Sequence, residues 1–347
     1  MSAASDSSEA QPHPAQQLNR IVFRPWDAQI LSAAVRFDLA GRLSGGPRTA
    51  ADLAAEIEAD PGSFGRFLGA CATLGVVQRD ADGRYALTAV GEYLRTGDGG
   101  LGNVILMNTT PGIWNRAARL HESVLTGRMV LDEAGENLYE YYGHHPQERS
   151  WHAAAMADLS IDAGEVIAEH YDLSAYSTIV DVGGSWGVLL SRVLRAAPHA
   201  KGMVFDLPGI VEGGREATAG SDVADRLSFV EGSFFADAPP AGDLYIIKQV
   251  LCDWGDEDVA RILASCYRGA PPGSRLVVID WVRPSGPEPS DVDSMSVGLQ
   301  VVTGGRVRTE EEFVGLIEGA GFRFDSTVTL PSRVIPRPWY LLQAYRP

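Results

Sequence analysis

From about residue 177 onward, short strand-like segments alternate with stretches whose apolar residues recur every three to four positions. The segments fall at residues 177–182, 201–205, 227–231, 243–248, 275–281, 322–328 and 339–346. Where such a segment carries an apolar run bounded by turn residues, as at Ile179-Val180 and Met203–Phe205, it predicts a buried parallel strand. The intervening residues 187–196, 208–218, 256–268 and 309–320 carry the helical period. Strand and helix in alternation predict an α/β, Rossmann-like domain with a mostly parallel seven-stranded sheet and helices on both sides. A short Pro-rich loop, not a helix, joins the last two segments, so they are expected to pair as an antiparallel hairpin.

The N-terminal half is helical in pattern. Residues 25–43 place Ile30, Leu31, Ala34, Val35, Leu39 and Leu43 at helical spacing, a helix pair with an apolar face for a partner surface. Gly45, Gly46 and Pro47 break it. Thr49, with Asp52 three positions on, caps a helix burying Leu53 and Ile57. Asp60 and Pro61 open another over 62–74, with Phe64, Phe67, Leu68 and Cys71 on one side. Runs at 76–79 and 85–88 flank Asp82 and Gly83 and predict a hairpin. Helix, helix, hairpin is the order of a winged helix. The second helix offers only Arg66 as a cation, which argues against a DNA-reading role. Residues 101–170 read as helical and rich in large side chains: Met107, Trp114, Leu120, Tyr139, Tyr141, Tyr142, Trp151, His152 and Met156. They suit either ordinary core or the walls of a pocket for a flat ligand. His144 and His145, beside Pro146, read as a loop, with no carboxylate or thiol at ligand spacing. Residues 1–15 lack an apolar run and read as a disordered tail, not a leader. The expected domains are residues 16–110, 111–170 and 171–347.

Composition narrows the partners. The chain has 347 residues, 45% of them apolar, with 45 acidic against 29 basic side chains and a net charge of −16. That balance disfavours nucleic acid and anionic membrane as partners. Cys71, Cys252 and Cys266 have neither metal-type spacing nor a disulfide framework, so a cytoplasmic protein without a metal is expected.

The candidate chemistry centres on TIVDVGGSWG, residues 178–187. An apolar strand ends in Asp181, and Gly183, Gly184 and Gly187 form a tight loop before a helix. Glycine there permits unusual backbone angles and lets a ligand approach the main chain. By itself the loop suits either a nucleotide-type cofactor or a plain turn. The next strand ends in Asp206, about 20 residues past the loop, where an acid grips both hydroxyls of a ribose. The dinucleotide pattern G-x-G-x-x-G is not met, and phosphate-binding cations are absent. A ribose without a pyrophosphate points to S-adenosylmethionine (SAM).

Five ordered segments, DVGGSWG, VFDLPGIVE, FVEGSFF, IKQVLCDWGDE and GGRVRTEEEF with a closing AGF, cover about residues 177–324. With them the chain resembles the SAM-dependent small-molecule O-methyltransferases of bacterial secondary metabolism and plant phenylpropanoid chemistry. The resemblance implies a homodimer formed through the N-terminal domain, and a helical segment that lids the site. It places Asp181, Gly183, Gly184 and Ser185 against the methionine part of SAM, Asp206 on the ribose and Leu207 under the adenine. Phe234 offers an apolar face, Lys248 contacts the cofactor and Trp254 stacks on adenine. Ser233 stands where the family carries an acid for the adenine amine. Trp114, Tyr142, Trp151, Met156, Met295 and Leu299 would wall the substrate pocket.

Two motifs depart from the family at its chemistry. The family's L-H-D-W supplies a histidine base, and here it reads Leu251-Cys252-Asp253-Trp254. The acid of G-G-x-E-R-T, which orients that histidine, is replaced by Val307. A second family acid is retained as Asp280. Loss of base and orienter together is coherent, since a buried carboxylate without a partner is costly. Three readings stay open. Methyl transfer can run on proximity and alignment alone, to a small aromatic or enolic acceptor that Asp253 and Asp280 orient. Cys252 can serve as a thiolate base or simply fill the gap left by histidine. Or the fold keeps SAM and catalyses a hydroxylation or cyclisation, using the sulfonium charge alone.

Overall fold

The computed structural model describes residues 13–97 and 99–347. The chain forms two compact units, one ending at Thr109 and the other spanning Thr110–Pro347.

The first unit opens with α1 (Pro14–Arg36), which corrects two expectations. Residues 14 and 15, assigned to a tail, are helical, while residues 1–12 lie outside the described residues. The helix also starts well before residue 25. His13 caps it, its ring accepting from the Ala15 amide, while the Gln16 side chain accepts from the His13 amide. Apolar spacing marked only the part that packs within the unit; upstream, Leu18, Ile21, Val22, Phe23 and Trp26 stay exposed. Next come α2 (Leu39–Leu43), β1 (Arg48–Thr49), α3 (Ala50–Glu56) and α4 (Pro61–Thr73). Thr49 and Asp60 cap the last two through Asp52 and Ser63. The antiparallel strands β2 (Val77–Arg79) and β3 (Arg84–Leu87) join β1 in the order β1-β3-β2. Finally α5 (Gly102–Asn108) packs on α1, where Thr109 donates to Ser32 across 2.7 Å.

The second unit begins with four helices, α6 (Pro111–Ala117), α7 (Leu120–Thr126), α8 (Leu138–His144) and α9 (Pro146–His170). His144, expected in a loop, therefore closes α8. Buried Arg116 sets their arrangement. Its guanidinium donates to the carbonyls of Gly112, Val130 and Glu136 and lies over the Tyr141 ring. Buried Glu148 accepts from the Gly112 amide and the Tyr141 hydroxyl. Those bonds fix α8 and the tyrosines it carries.

The sheet follows, with β4 (Thr178–Val182), α10 (Val188–Ala196), β5 (Lys201–Asp206), α11 (Pro208–Thr218), β6 (Leu227–Glu231), β7 (Leu244–Lys248), α12 (Asp256–Gly269) and β8 (Arg275–Asp280). Then come β9 (Val282–Arg283), α13 (Val292–Val302), β10 (Arg308–Thr309), α14 (Glu310–Gly319), β11 (Arg323–Leu330) and β12 (Trp339–Tyr345). Strand order is β11-β12-β8-β7-β4-β5-β6. Only the β11-β12 and β12-β8 pairings are antiparallel. This is the α/β, mostly parallel seven-stranded sheet expected. Ala163, Val166 and Ile167 of α9 pack with Leu190 and Val193 of α10 in one core layer. Val259, Ile262 and Leu263 of α12 join Phe313 and Ile317 of α14 in the other. The short parallel pair β9-β10 and the helix α13 had no sequence signature. Two-residue strands show no alternation, and Gly298 sits inside α13. The parallel strands bring Val182, Asp206, Glu231, Lys248 and Asp280 to one edge, where such sheets hold ligands.

Candidate active site

The loop after β4 is built from left-handed backbone. Gly183, Ser185 and Gly187 have φ of +71°, +52° and +72°. A Cβ on Gly183 would meet Val250 at 2.8 Å, and one on Gly184 would meet the Asp181 carboxyl at 2.5 Å. Ser185 is not glycine, and its angle is held by a bond from its amide to Asp206 Oδ2 at 2.9 Å. The Leu207 amide donates to Asp206 Oδ1 at 2.7 Å. Asp206 is thus aimed by main chain on both oxygens, each with a lone pair left for a ribose hydroxyl.

Asp181 is buried, and its Oδ2 has no partner. Burial pushes its carboxyl up to about 7, with Lys248 opposing and Asp206 adding. A buried carboxylate without a donor is costly, and an incoming ammonium such as that of methionine would satisfy it. Lys248 donates to Ser160 at 3.0 Å, and burial lowers its amine to about 8 against the pull of Asp181. Across the loop, the Ser233 amide donates to Asp237 and the Ser233 hydroxyl accepts from the Phe235 amide. Phe234, Phe235 and Trp254 form an edge-to-face trio with centroids 4.7–6.2 Å apart. Leu207 stays exposed. An orphaned carboxylate, a main-chain-fixed acid and an aromatic wall fit SAM.

The residues expected to carry the chemistry, Cys252 and Asp253, lie on the tight turn Leu251–Asp253. Gln249, with φ of +50°, redirects the chain into it. Arg308, fully buried, clamps the turn by donating to the Leu251 and Trp254 carbonyls at 2.8 and 2.7 Å and to Asp256. Gly305 lies flat against it, since a Cβ there would overlap the Cys252 carbonyl. Cys252 is buried, and burial, then Asp280 and Asp253, push its thiol well above the ordinary value. Val307 is a buried apolar side chain, its amide donating to Ser296 of α13.

Asp253 and Asp280 are the two carboxylates beside that thiol. Burial raises Asp253 to about 7, with Asp280 adding and the Tyr139 hydroxyl, which donates to Oδ2 at 3.1 Å, opposing. Burial raises Asp280 to about 6; its Oδ1 accepts from the Trp281 amide, and its Oδ2 has no partner. Among the described residues, the orphaned atoms Asp181 Oδ2, Gln249 Oε1, Asp280 Oδ2 and Trp281 Nε1 gather at the carboxyl ends of the adjacent strands β4, β7 and β8.

Of the residues named for the pocket, Trp114, Trp151, Met156, Met295 and Leu299 are half-buried, on α6, α9 and α13. Tyr142 is fully buried, its hydroxyl 3.4 Å from His152 Nδ1. Its neighbour Tyr139 is the tyrosine whose hydroxyl meets the catalytic turn. His152, Met156 and Ser160 lie at four-residue spacing on one face of α9. That stripe runs from the Tyr139 ring, 6.3 Å from His152, to Lys248. Tyr139 and His152 belong to the aromatic segment of the sequence. No motif marked them, because α8 reaches the turn through tertiary packing. His152 is an imidazole beside Tyr139 and Tyr142, but burial lowers it to about 4, too weak for a base at neutral pH.

The chain matches the family described as the O-methyltransferase domain over residues 118–323 and that of the O-methyltransferase dimerisation domain over residues 20–97. It belongs to the O-methyltransferase family. It is 33% identical over 318 residues to the mitomycin biosynthesis 6-O-methyltransferase of Streptomyces lavendulae, covering 90% of each chain. It is 34% identical over 240 residues to the aclacinomycin 10-hydroxylase RdmB of Streptomyces purpurascens, covering 66% of this chain and 64% of that one. The structure of CalO1, a methyltransferase in calicheamicin biosynthesis solved with S-adenosylhomocysteine (SAH), superposes with a TM-score of 0.82 at 31% identity, covering 96% of this chain and 98% of that one. The enzyme is thus a SAM-dependent methyltransferase by family. No helix among the described residues is long and apolar enough to cross a membrane.

Proposed function

We propose that this enzyme methylates a hydroxyl on a small aromatic or enolic intermediate of natural-product biosynthesis, without an imidazole base. One contrast carries the reading: the cofactor half is intact in Asp181, Ser185 and Asp206, while the base position holds a buried, un-ionised thiol. Bound SAM supplies a methyl group already activated on a positive sulfonium. The protein then has to bind, align and exclude water, which can remove several kcal/mol of barrier. Trp114, Trp151, Met156, Met295 and Leu299 suit the walls of a site for a flat acceptor. Gly183, Gly184, Ser185, Leu207, Ser233, Phe234, Lys248 and Trp254 join the two acids in holding SAM.

The exposed apolar side chains of α1, Leu18, Ile21, Val22, Phe23 and Trp26, favour a homodimer through the N-terminal unit. The acidic charge and the three unpaired cysteines suit a cytoplasmic enzyme with a small-molecule substrate.

A second reading has one observation behind it: a relative 34% identical over 240 residues is named as a hydroxylase. The test separates the two. Purified protein, methyl-labelled SAM and a metabolite extract from its source are incubated, and the label is followed by mass spectrometry. Label in a small molecule with stoichiometric SAH is the expected result. Turnover of a metabolite with SAM left intact would sink methyl transfer.

A further inference from the structure

Methylating a neutral hydroxyl releases a proton, and that proton needs somewhere to go. Neither Cys252 nor His152 can take it. Burial holds the thiol protonated, and the imidazole, lowered to about 4, would hardly retain a proton. The catalytic turn offers a third group. The Asp253 side chain follows directly after the former base position, deep in the site yet still partly open. It is bonded at one oxygen by Tyr139, whose hydroxyl is pushed well above its ordinary value by burial and then by Asp253, while the residue as a whole is 46% exposed.

We propose that the Asp253 carboxylate takes the acceptor's hydroxyl proton and that Tyr139 connects it to solvent. The inference rests on the methyl-transfer reading and adds the missing base. In the step, the acceptor oxygen bonds to the methyl carbon while the sulfur–methyl bond breaks, its electron pair staying on sulfur. The O–H electron pair remains on the acceptor oxygen, and the proton moves to the Asp253 carboxylate. Tyr139 then passes a proton outward and receives the one on Asp253, so both groups are restored. The acceptor is accordingly an un-ionised phenol or enol. A pre-formed anion would face Asp253 and Asp280 together.

Every neighbour of Asp253 has a definite influence. Tyr139 from α8 stabilises the carboxylate by its hydrogen bond. Asp280 at the end of β8 opposes ionisation by like charge. Cys252 is neutral, and His152 of α9, stacked edge-on to Tyr139, is neutral at pH 7. Lys248 of β7 and Arg308 of β10 bear on Cys252 and Asp280 from behind. Asp253 therefore titrates near 7, where a general base works best. Two substitutions must move that titration in opposite directions. Tyr139→Phe removes the stabilising bond and raises it, and Asp280→Asn removes the like charge and lowers it.

The experiment reads both rate and ionisation. Label transfer from methyl-labelled SAM into the metabolite extract is followed from pH 5.5 to 9 in wild type, Asp253→Asn, Tyr139→Phe and Asp280→Asn. Carbon-13 aspartate labelling follows the carboxyl titration in the same proteins, and calorimetric SAM binding verifies that each is folded. The wild-type rate should rise through pH 7, and the midpoint should move up in Tyr139→Phe and down in Asp280→Asn. Asp253→Asn should lose the limb and about 10²–10⁴-fold in rate. An Asp253→Asn rate within threefold of wild type, or midpoints that fail to part, would overturn the assignment. If wild type moves no label, methyl transfer falls and the assignment of Asp253 as its base falls with it, even where the carboxyl midpoints part. Label transfer with no parting of the midpoints leaves methyl transfer and removes the pair.

Discussion

At the scale of single residues, what replaced the histidine matters less than how its replacement is held. Cys252 is 2% exposed and sits beside two carboxylates that disfavour its thiolate. A thiol in such a place is a packing group, and its gain is the absence of a second charge between Asp253 and Asp280. Cys252→Ala should therefore keep methyl transfer within a few-fold of wild type. It should cost about 1 kcal/mol of stability for the lost sulfur contacts, read from urea midpoints. A hundredfold loss of rate with the fold intact would restore the thiolate reading. Cys252 and Val307 stood out in the sequence because they fall inside motifs of fixed order. Tyr139 and His152 did not, since their relevance depends on a hydrogen bond to a turn more than 100 residues away in the chain. Asp181 and Asp206 were legible because glycine spacing and strand ends place them with little help from tertiary packing.

At the scale of elements, the catalytic turn is held from outside rather than by its own propensity. Leu251–Asp253 is a single tight turn, and the guanidinium of Arg308 holds it by donating to the Leu251 carbonyl within it and the Trp254 carbonyl just past it. The short pairing of β10 with β9 brings that arginine in, and Gly305 makes the approach possible. The strand–helix alternation found every strand of the large sheet, because buried central strands such as β4, β7 and β8 are apolar through most of their length and set the rhythm for the rest. It left out β9, α13 and β10, which are too short or too mixed in composition to repeat. These are the elements that clamp the turn and carry Met295 and Leu299. Arg308→Lys should thus be far from conservative, since an ammonium cannot serve two carbonyls and a carboxylate in one plane. Each buried carbonyl left unpaired costs about 1–3 kcal/mol. A loss of about 2 kcal/mol or more by urea denaturation, with at least a tenfold drop in transfer, is expected. An Arg308→Lys enzyme with the wild-type midpoint would mean that the turn holds itself.

At the scale of the whole molecule, the site is a store of electrostatic cost that the cofactor relieves. Asp181, Asp206, Asp253 and Asp280 all have carboxyls raised by burial. For Asp181 the sign is definite. Its folded value near 7 lies above the unfolded one near 4, so the folded state binds the proton more tightly. Below pH 4 both states are protonated and there is no penalty. Between about 4 and 7 the penalty grows by up to about 1.4 kcal/mol per pH unit, and above 7 it is constant. Lys248, lowered to about 8, stays charged across that window and adds no slope. Without cofactor, Asp181→Asn should therefore be more stable than wild type at pH 8, and the two urea midpoints should converge toward pH 4. Asp253 and Asp280 are common to both proteins, and Asp206, whose like charge adds to the raise of Asp181, is relieved by the same substitution and acts in the same direction. A cationic cofactor reverses the order. It favours ionised Asp181, so SAM should bind wild type more tightly at pH 8 than at pH 5.5 by calorimetry, with much less change in Asp181→Asn. Equal stability of the two proteins at pH 8 would mean that Asp181 already has a partner in the free enzyme, and that its buried oxygen is not kept open for the cofactor's ammonium.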